Sequence, residues 1–173
     1  MEIRLQDYRD LNEQFDHVIS LGMFEHVGPK NYRTYMKVAE RCLKNDGLFL
    51  LHTIGSNTSE TSMESWMNKY IFPDSVLPSI KQIGQSIEKI FIMEDWHNFG
   101  PYYDQTLMGW FKNFNKNWPK LQEKHPGKYD QNFYRIWKYY LLFCAATFRA
   151  RTNQLWQIVL SKQGGQNFYK SIR

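Results

Sequence analysis

The chain has 173 residues, 42% hydrophobic and 23% charged, which suits one globular domain and excludes a disordered chain. A net charge of +5 points toward an anionic partner such as nucleic acid, an anionic lipid surface or a phosphorylated ligand, although many soluble domains carry as much with no such partner. Two cysteines, Cys42 and Cys144, exclude a disulfide scaffold and a four-cysteine zinc site and fit a reduced cytoplasm; no run approaches the ~18 apolar residues of a membrane span, and MEIRLQDYRD lacks the apolar core of a secretory signal.

In chain order, Phe15 to Gly22 predicts a short buried strand, β-branched in the middle and stopped by glycine. Pro29 to Leu43 predicts a helix, with Tyr32, Tyr35, Met36, Ala39 and Leu43 at helical spacing. Asn45-Asp46-Gly47 is read as a stop and turn. Leu48 to Ile54 is a continuous apolar run, as in a parallel strand buried on both faces. Strand, helix and strand in this order make a βαβ unit with a right-handed crossover.

A polar stretch over 56–64 then leads to a short helix over 65–70. Pro73 and Pro78 mark irregular chain, followed by a helix over 79–86 and a third strand over 89–94. Asp104 to Trp118 predicts an amphipathic helix capped by Asp104, followed by a basic break over 119–128. Asn132 to Arg149 predicts an aromatic-rich helix, and Gln154 to Ser161 a last strand. The polar tail is expected to fray.

The class is α/β, and in such sheets ligands bind at the carboxyl ends of strands. That rule singles out 21–26 and 52–55. Glu25 lies past the first strand and His52 near the end of the second, so adjacent parallel strands bring them together. A carboxyl beside an imidazole can hold an anion or relay a proton; the same pair can also merely satisfy loop backbone groups. His26, His52, His97, Glu25, Glu94 and Asp95 lack paired metal-ligand spacing, so no metal is expected. Cys144, inside an aromatic helix, reads more readily as a small buried hydrophobe than as a nucleophile. The aromatic helices read as core packing, with a pocket for an apolar or cationic ligand as the alternative. No GxG or GxxG cluster follows a strand, so the nucleotide-binding first βα loop is missing.

Seven collinear strings are family-specific. GMFEHVGPKNY (22–32), LLHTIG (50–55), NKYIFPD (68–74), MEDWHNFG (93–100), YDQTLMGW (103–110) and FRAR (148–151) with QLWQ (154–157) closely resemble cyclopropane-fatty-acyl-phospholipid synthases. The resemblance runs from about Leu5 to Ser161 and extends to relatives that modify mycolic acids.

It implies the C-terminal part of a Rossmann-like class I S-adenosylmethionine (SAM)-dependent methyltransferase fold, lacking the first strands and the glycine-rich loop. Residues 1–162 would be a partial methyltransferase catalytic domain and 163–173 a polar tail. It also implies transfer of a methylene from SAM to the cis double bond of unsaturated phospholipid acyl chains. The alkene would attack the sulfonium methyl, and bicarbonate would take the proton as the ring closes. By resemblance, Asp7 and Tyr8 flank the adenine and Leu21 contacts the cofactor. Glu25, His52, Ile54 and Tyr103 match the bicarbonate group, with His52, the Tyr103 hydroxyl and the Ile54 backbone N–H as donors. Cys144 matches a residue described as catalytic in the family.

The implied setting is cytoplasmic, peripheral to the inner face of the membrane, with the basic 112–128 stretch against anionic headgroups. A remnant or interaction module that binds no SAM is the alternative. An N-terminal partner chain or a homodimer would cover the sheet edge. Nucleic acid is not an expected partner, since no recognition motif is present.

Overall fold

The computed structural model describes residues 2–165 and 169–171. Four strands form one sheet in the order β1-β2-β4-β3. They are β1 (Phe15–Leu21), β2 (Leu43–Ser56), β3 (Phe91–Asn98) and β4 (Asn153–Lys162). β1 and β2 are parallel, as the βαβ pattern predicts, and β4 runs antiparallel to both β2 and β3.

Helix α1 (Tyr32–Cys42) links β1 to β2. It starts later than the sequence predicts, because residues 29–31 form a turn that Asn31 ties back to the Val27 carbonyl. α2 (Ser65–Tyr70) is capped by Glu64, whose carboxyl accepts from the Trp66 and Met67 N–H groups. α3 (Ile80–Ile87) opens on a capping box between Ser79 and Gln82.

Asn45-Asp46-Gly47 is not a turn but an excursion within β2. The register jumps from Phe15↔Leu43 to His17↔Leu48, and the extra residues bulge out of the ladder. Gly47 is required there by close approach: a Cβ would lie 2.4 Å from the Asp16 carbonyl. β3 runs to Asn98 rather than Glu94, because pairing with β4 holds the polar residues that periodicity leaves out.

The last two helices also differ from expectation. α4 (Gly100–Lys124) continues through Pro119, and Asp104 lies inside it rather than at its cap. α5 (Gln131–Arg149) packs antiparallel to it. Asp104 instead accepts two 2.9 Å hydrogen bonds from Arg149, tying the start of α4 to the end of α5. Trp118 stacks on Phe133 at 6.2 Å, and Phe114 on Tyr134 at 5.5 Å. This aromatic seam joins α4 to α5 on the turn just before the proline.

The sheet therefore has two covered faces. α1 and α3 pack on one, around Phe24, Met36, Phe49, Leu51, Ile83 and Ile158. The α4–α5 pair packs over the other, where Leu107, Leu141, Ala145 and Phe148 meet Leu155 and Ile54. Gly55 is fixed by Trp156, whose ring would sit 1.9 Å from an added Cβ. Lys162 closes β4; of the tail expected over 163–173, residues 166–168, 172 and 173 lie outside the described residues.

Candidate functional site

A cavity of about 380 Å³ lies between the carboxyl ends of β1 and β2 and helices α2, α4 and α5. Its walls are mainly apolar: Met67, Phe72, Leu107, Trp110, Tyr140 and Phe143. Such a space suits a hydrocarbon chain. Glu25, Ile54, Tyr103 and Cys144 all line it, so the topology gathers four of the sequence-based candidates.

Glu25 stands on a single 3₁₀ turn just after β1 and is only 5% exposed. Its Oε1 accepts a 2.6 Å hydrogen bond from the Ile54 backbone N–H. In this structure the Ile54 N–H, expected as a donor for an anion, is engaged by Glu25. The second oxygen, Oε2, is buried and has no hydrogen-bond partner among the described residues. A buried, unsatisfied carboxyl oxygen is costly, and a water or a bound group with a donor would satisfy it.

His52 flanks the cavity rather than lining it. Its Nδ1 lies 3.1 Å from the Gln157 amide nitrogen, its cross-strand neighbour on β4. With that amide donating, the neutral imidazole carries its proton on Nε2. Burial lowers the His52 pKa, and the nearby Glu25 charge partly opposes this. The ring is therefore a neutral donor near Glu25.

Burial pushes the Cys144 thiol up to about 12 and the Tyr140 hydroxyl likewise to about 12. Burial, then the neighbouring Cys144 and Glu25, raise Tyr103. Tyr103 thus remains a protonated hydroxyl at neutral pH, able to donate. A neutral Cys144 presents a small apolar surface.

The residues matched to the cofactor lie elsewhere. Tyr8 and Leu21 line a separate groove of about 270 Å³ beside β1, with Tyr35 as part of its floor. Asp7 is tied up locally: Arg9 donates to both its oxygens at 2.6–3.2 Å, which lowers its pKa to about 2. As it stands, the Asp7 carboxyl faces a guanidinium.

Sequence reasoning missed Glu64, which sits on the cavity rim, its carboxyl held below the usual range by two helix N–H groups. Core packing and a pocket, read from the sequence as alternatives for the aromatic helices, both hold for α5: Leu141 and Ala145 are in the core, and Tyr140, Phe143 and Cys144 are on the cavity. Among the described residues, no group of three or more His, Cys, Asp or Glu side chains could hold a metal. No helix among them is long and apolar enough to cross a membrane.

Residues 1–158 match the family model for mycolic acid cyclopropane synthetase. The chain belongs to this family. It is 56% identical over 160 residues to the cyclopropane-fatty-acyl-phospholipid synthase of Escherichia coli K12, covering 92% of this chain and 41% of that protein. It therefore spans less than half the length of that relative. The structure of the cyclopropane synthase MmaA2 from Mycobacterium tuberculosis superposes with a TM-score of 0.82 at 24% identity, covering 92% of this chain and 59% of that one. The mycolic acid cyclopropane synthase CmaA1 complexed with SAH and CTAB gives a TM-score of 0.81 at 25% identity, covering 92% and 59%. The α/β sheet of this family member is thus of the class I SAM-dependent methyltransferase type.

Proposed function

We propose that this chain forms the acyl-chain and proton-accepting side of a cyclopropane-fatty-acyl-phospholipid synthase, acting on unsaturated phospholipids with SAM and with bicarbonate as the base. The observation that carries the reading is Glu25: a buried carboxyl on a residue lining a mainly apolar cavity, with one oxygen unpartnered among the described residues.

Bicarbonate fits this donor set. Its O–H can satisfy Glu25 Oε2, and its charged oxygens suit the Tyr103 hydroxyl and the His52 Nε2–H. When bound, it would supply a proton acceptor beside the acyl chain, and SAM would supply an electrophilic methyl group. Glu25 orients the anion through Oε2 and is itself fixed by the Ile54 N–H. Gln157 holds the His52 ring. Tyr140, Trp110 and Phe143 exclude water and present π faces to any cationic carbon. Cys144 lines the wall as a neutral thiol. For SAM, the groove holding Tyr8 and Leu21 suits a flat ring, whereas Asp7 becomes an acceptor only by releasing Arg9.

The test is a chimera in which this chain replaces the matching region of the E. coli synthase. It is supplied with SAM and unsaturated phospholipid vesicles, and cyclopropane acyl chains are measured by gas chromatography. Product that falls in bicarbonate-depleted buffer is expected. Glu25→Gln, which puts a donor or a weaker acceptor at Oε2, should lower kcat about 10- to 100-fold, the loss of one charge-assisted hydrogen bond. Full turnover without bicarbonate overturns the base assignment, and no product from a folded chimera overturns the synthase reading.

A further inference from the structure

A second groove, of about 770 Å³, opens on the outer side of α2 and α5. Trp66 and Tyr70 of α2 form one wall, and Arg135, Lys138, Tyr139 and Phe143 of α5 the other. Three features of this groove bear on what it meets.

The first is its aromatic rim. Tyr70 and Tyr139 are 45% and 48% exposed, and Trp66 lies edge-on to Tyr139 at 4.3 Å. Exposed rings with polar tips suit the headgroup layer of a bilayer, where one end is apolar and the other wet. The second is charge. Arg135 and Lys138 are both exposed, and among the described residues no carboxylate lines the groove and neither cation has an acidic partner within ion-pair distance. The third is continuity. Phe143 lines both this groove and the acyl cavity. Trp66 and Met67 are neighbours on α2, one facing each space, and Tyr139 and Tyr140 repeat this on α5. A hydrocarbon chain leaving the cavity past Phe143 would meet two cations and a ring of aromatic side chains.

We propose that this groove seats the protein on an anionic phospholipid surface, with Arg135 and Lys138 taking headgroup phosphates while the acyl chain reaches the cavity past Phe143. The proposal rests on the lipid-modifying reading above. It places the seat on α5, not on the basic 112–128 stretch, whose Lys112 and Lys116 line a different depression on α4.

The experiment is co-sedimentation of the chain with vesicles of dioleoylphosphatidylglycerol and, separately, of dioleoylphosphatidylcholine. Binding to the anionic vesicles should weaken about 30-fold in the Arg135→Ser/Lys138→Ser variant, at about 1 kcal/mol per basic side chain near such a surface. Tyr70→Ala/Tyr139→Ala should weaken binding to both vesicle types. Lys112→Ser/Lys116→Ser should bind as the parent does. All are exposed positions, and matching melting curves check that each variant folds.

Absence of vesicle binding by the parent, or loss that follows Lys112 and Lys116 instead, overturns the seat. Competition by inorganic phosphate beyond that of chloride at equal ionic strength marks a free-phosphate site and also overturns it. A chimera that makes product while the Arg135/Lys138 variant still binds vesicles normally overturns the seat and leaves the synthase reading standing. Loss of vesicle binding in that variant supports the seat even where the chimera makes no product.

Discussion

Cys144 is the residue for which the family match and the local surroundings lead to different chemistry. Its family match suggests a catalytic group, but a thiol pushed up to about 12 is almost wholly protonated at neutral pH. Alkylation by iodoacetamide at pH 7.5 should therefore be slower than for a free thiol by on the order of 10³-fold. Cys144→Ala should leave turnover of the chimera within a few-fold of the parent. Rapid alkylation that abolishes turnover would restore a chemical role. His52 gives a pH prediction. Its folded-state pKa lies below the ordinary 6.5, so the unfolded chain takes up the proton first. Stability is full above that value and declines as pH falls toward the folded-state pKa. His52→Gln should flatten that acid-side decline in denaturant titrations below pH 6.5. An unchanged slope would remove His52 as its source. The placing of Glu25 and His52 at the same end of the sheet was legible in sequence, because adjacent parallel strands align their carboxyl ends. The engagement of the Ile54 N–H was not, because it depends on the position of one side-chain oxygen.

Elements were legible where local chemistry and tertiary packing agree. Ser79 followed by Gln82 caps α3, and both bonds of the box form, at 3.1 and 2.9 Å. Ser79→Ala should cost about 1 kcal/mol, read as a lower denaturation midpoint with unchanged slope. Agreement fails at Pro119, where backbone chemistry argues for a break and the helix continues. Trp118 decides this: it is buried, and its ring contacts Phe114, Phe133 and Tyr134. The contacts with Phe133 and Tyr134 come from α5, beyond the reach of any local window. Pro119→Ala removes the conflict and should stabilise the protein, by up to about 3 kcal/mol. Destabilisation would show that the proline sets a bend the α4–α5 seam requires. The same logic explains the late residues of β3. Their polar run carries no strand period, and pairing with β4 alone makes them a strand.

For the whole molecule, the open question of architecture is the free side of β1. Parallel strands are ordinarily covered on both faces and paired on both edges. Here β1 is an edge strand, with Ile19 65% and Leu21 64% exposed beside the groove that holds Tyr8. The E. coli relative carries more than half of its length outside the match, and that remainder is the fitting source of further strands. The chain alone should therefore self-associate through β1. Adding the unmatched part of the E. coli synthase in trans should replace self-association with a one-to-one complex and raise the melting temperature. Sedimentation velocity distinguishes the species, and Leu21→Lys should suppress both by placing a charge beside the pairing edge. SAM titration by calorimetry then has a defined expectation, because Tyr8 and Leu21 sit on this same edge. Binding should be weak or absent for the chain alone and strong in the complex. A monodisperse monomer that melts cooperatively and binds SAM tightly by itself would mean that β1 needs no neighbour, and that the cofactor is held by this chain's own residues.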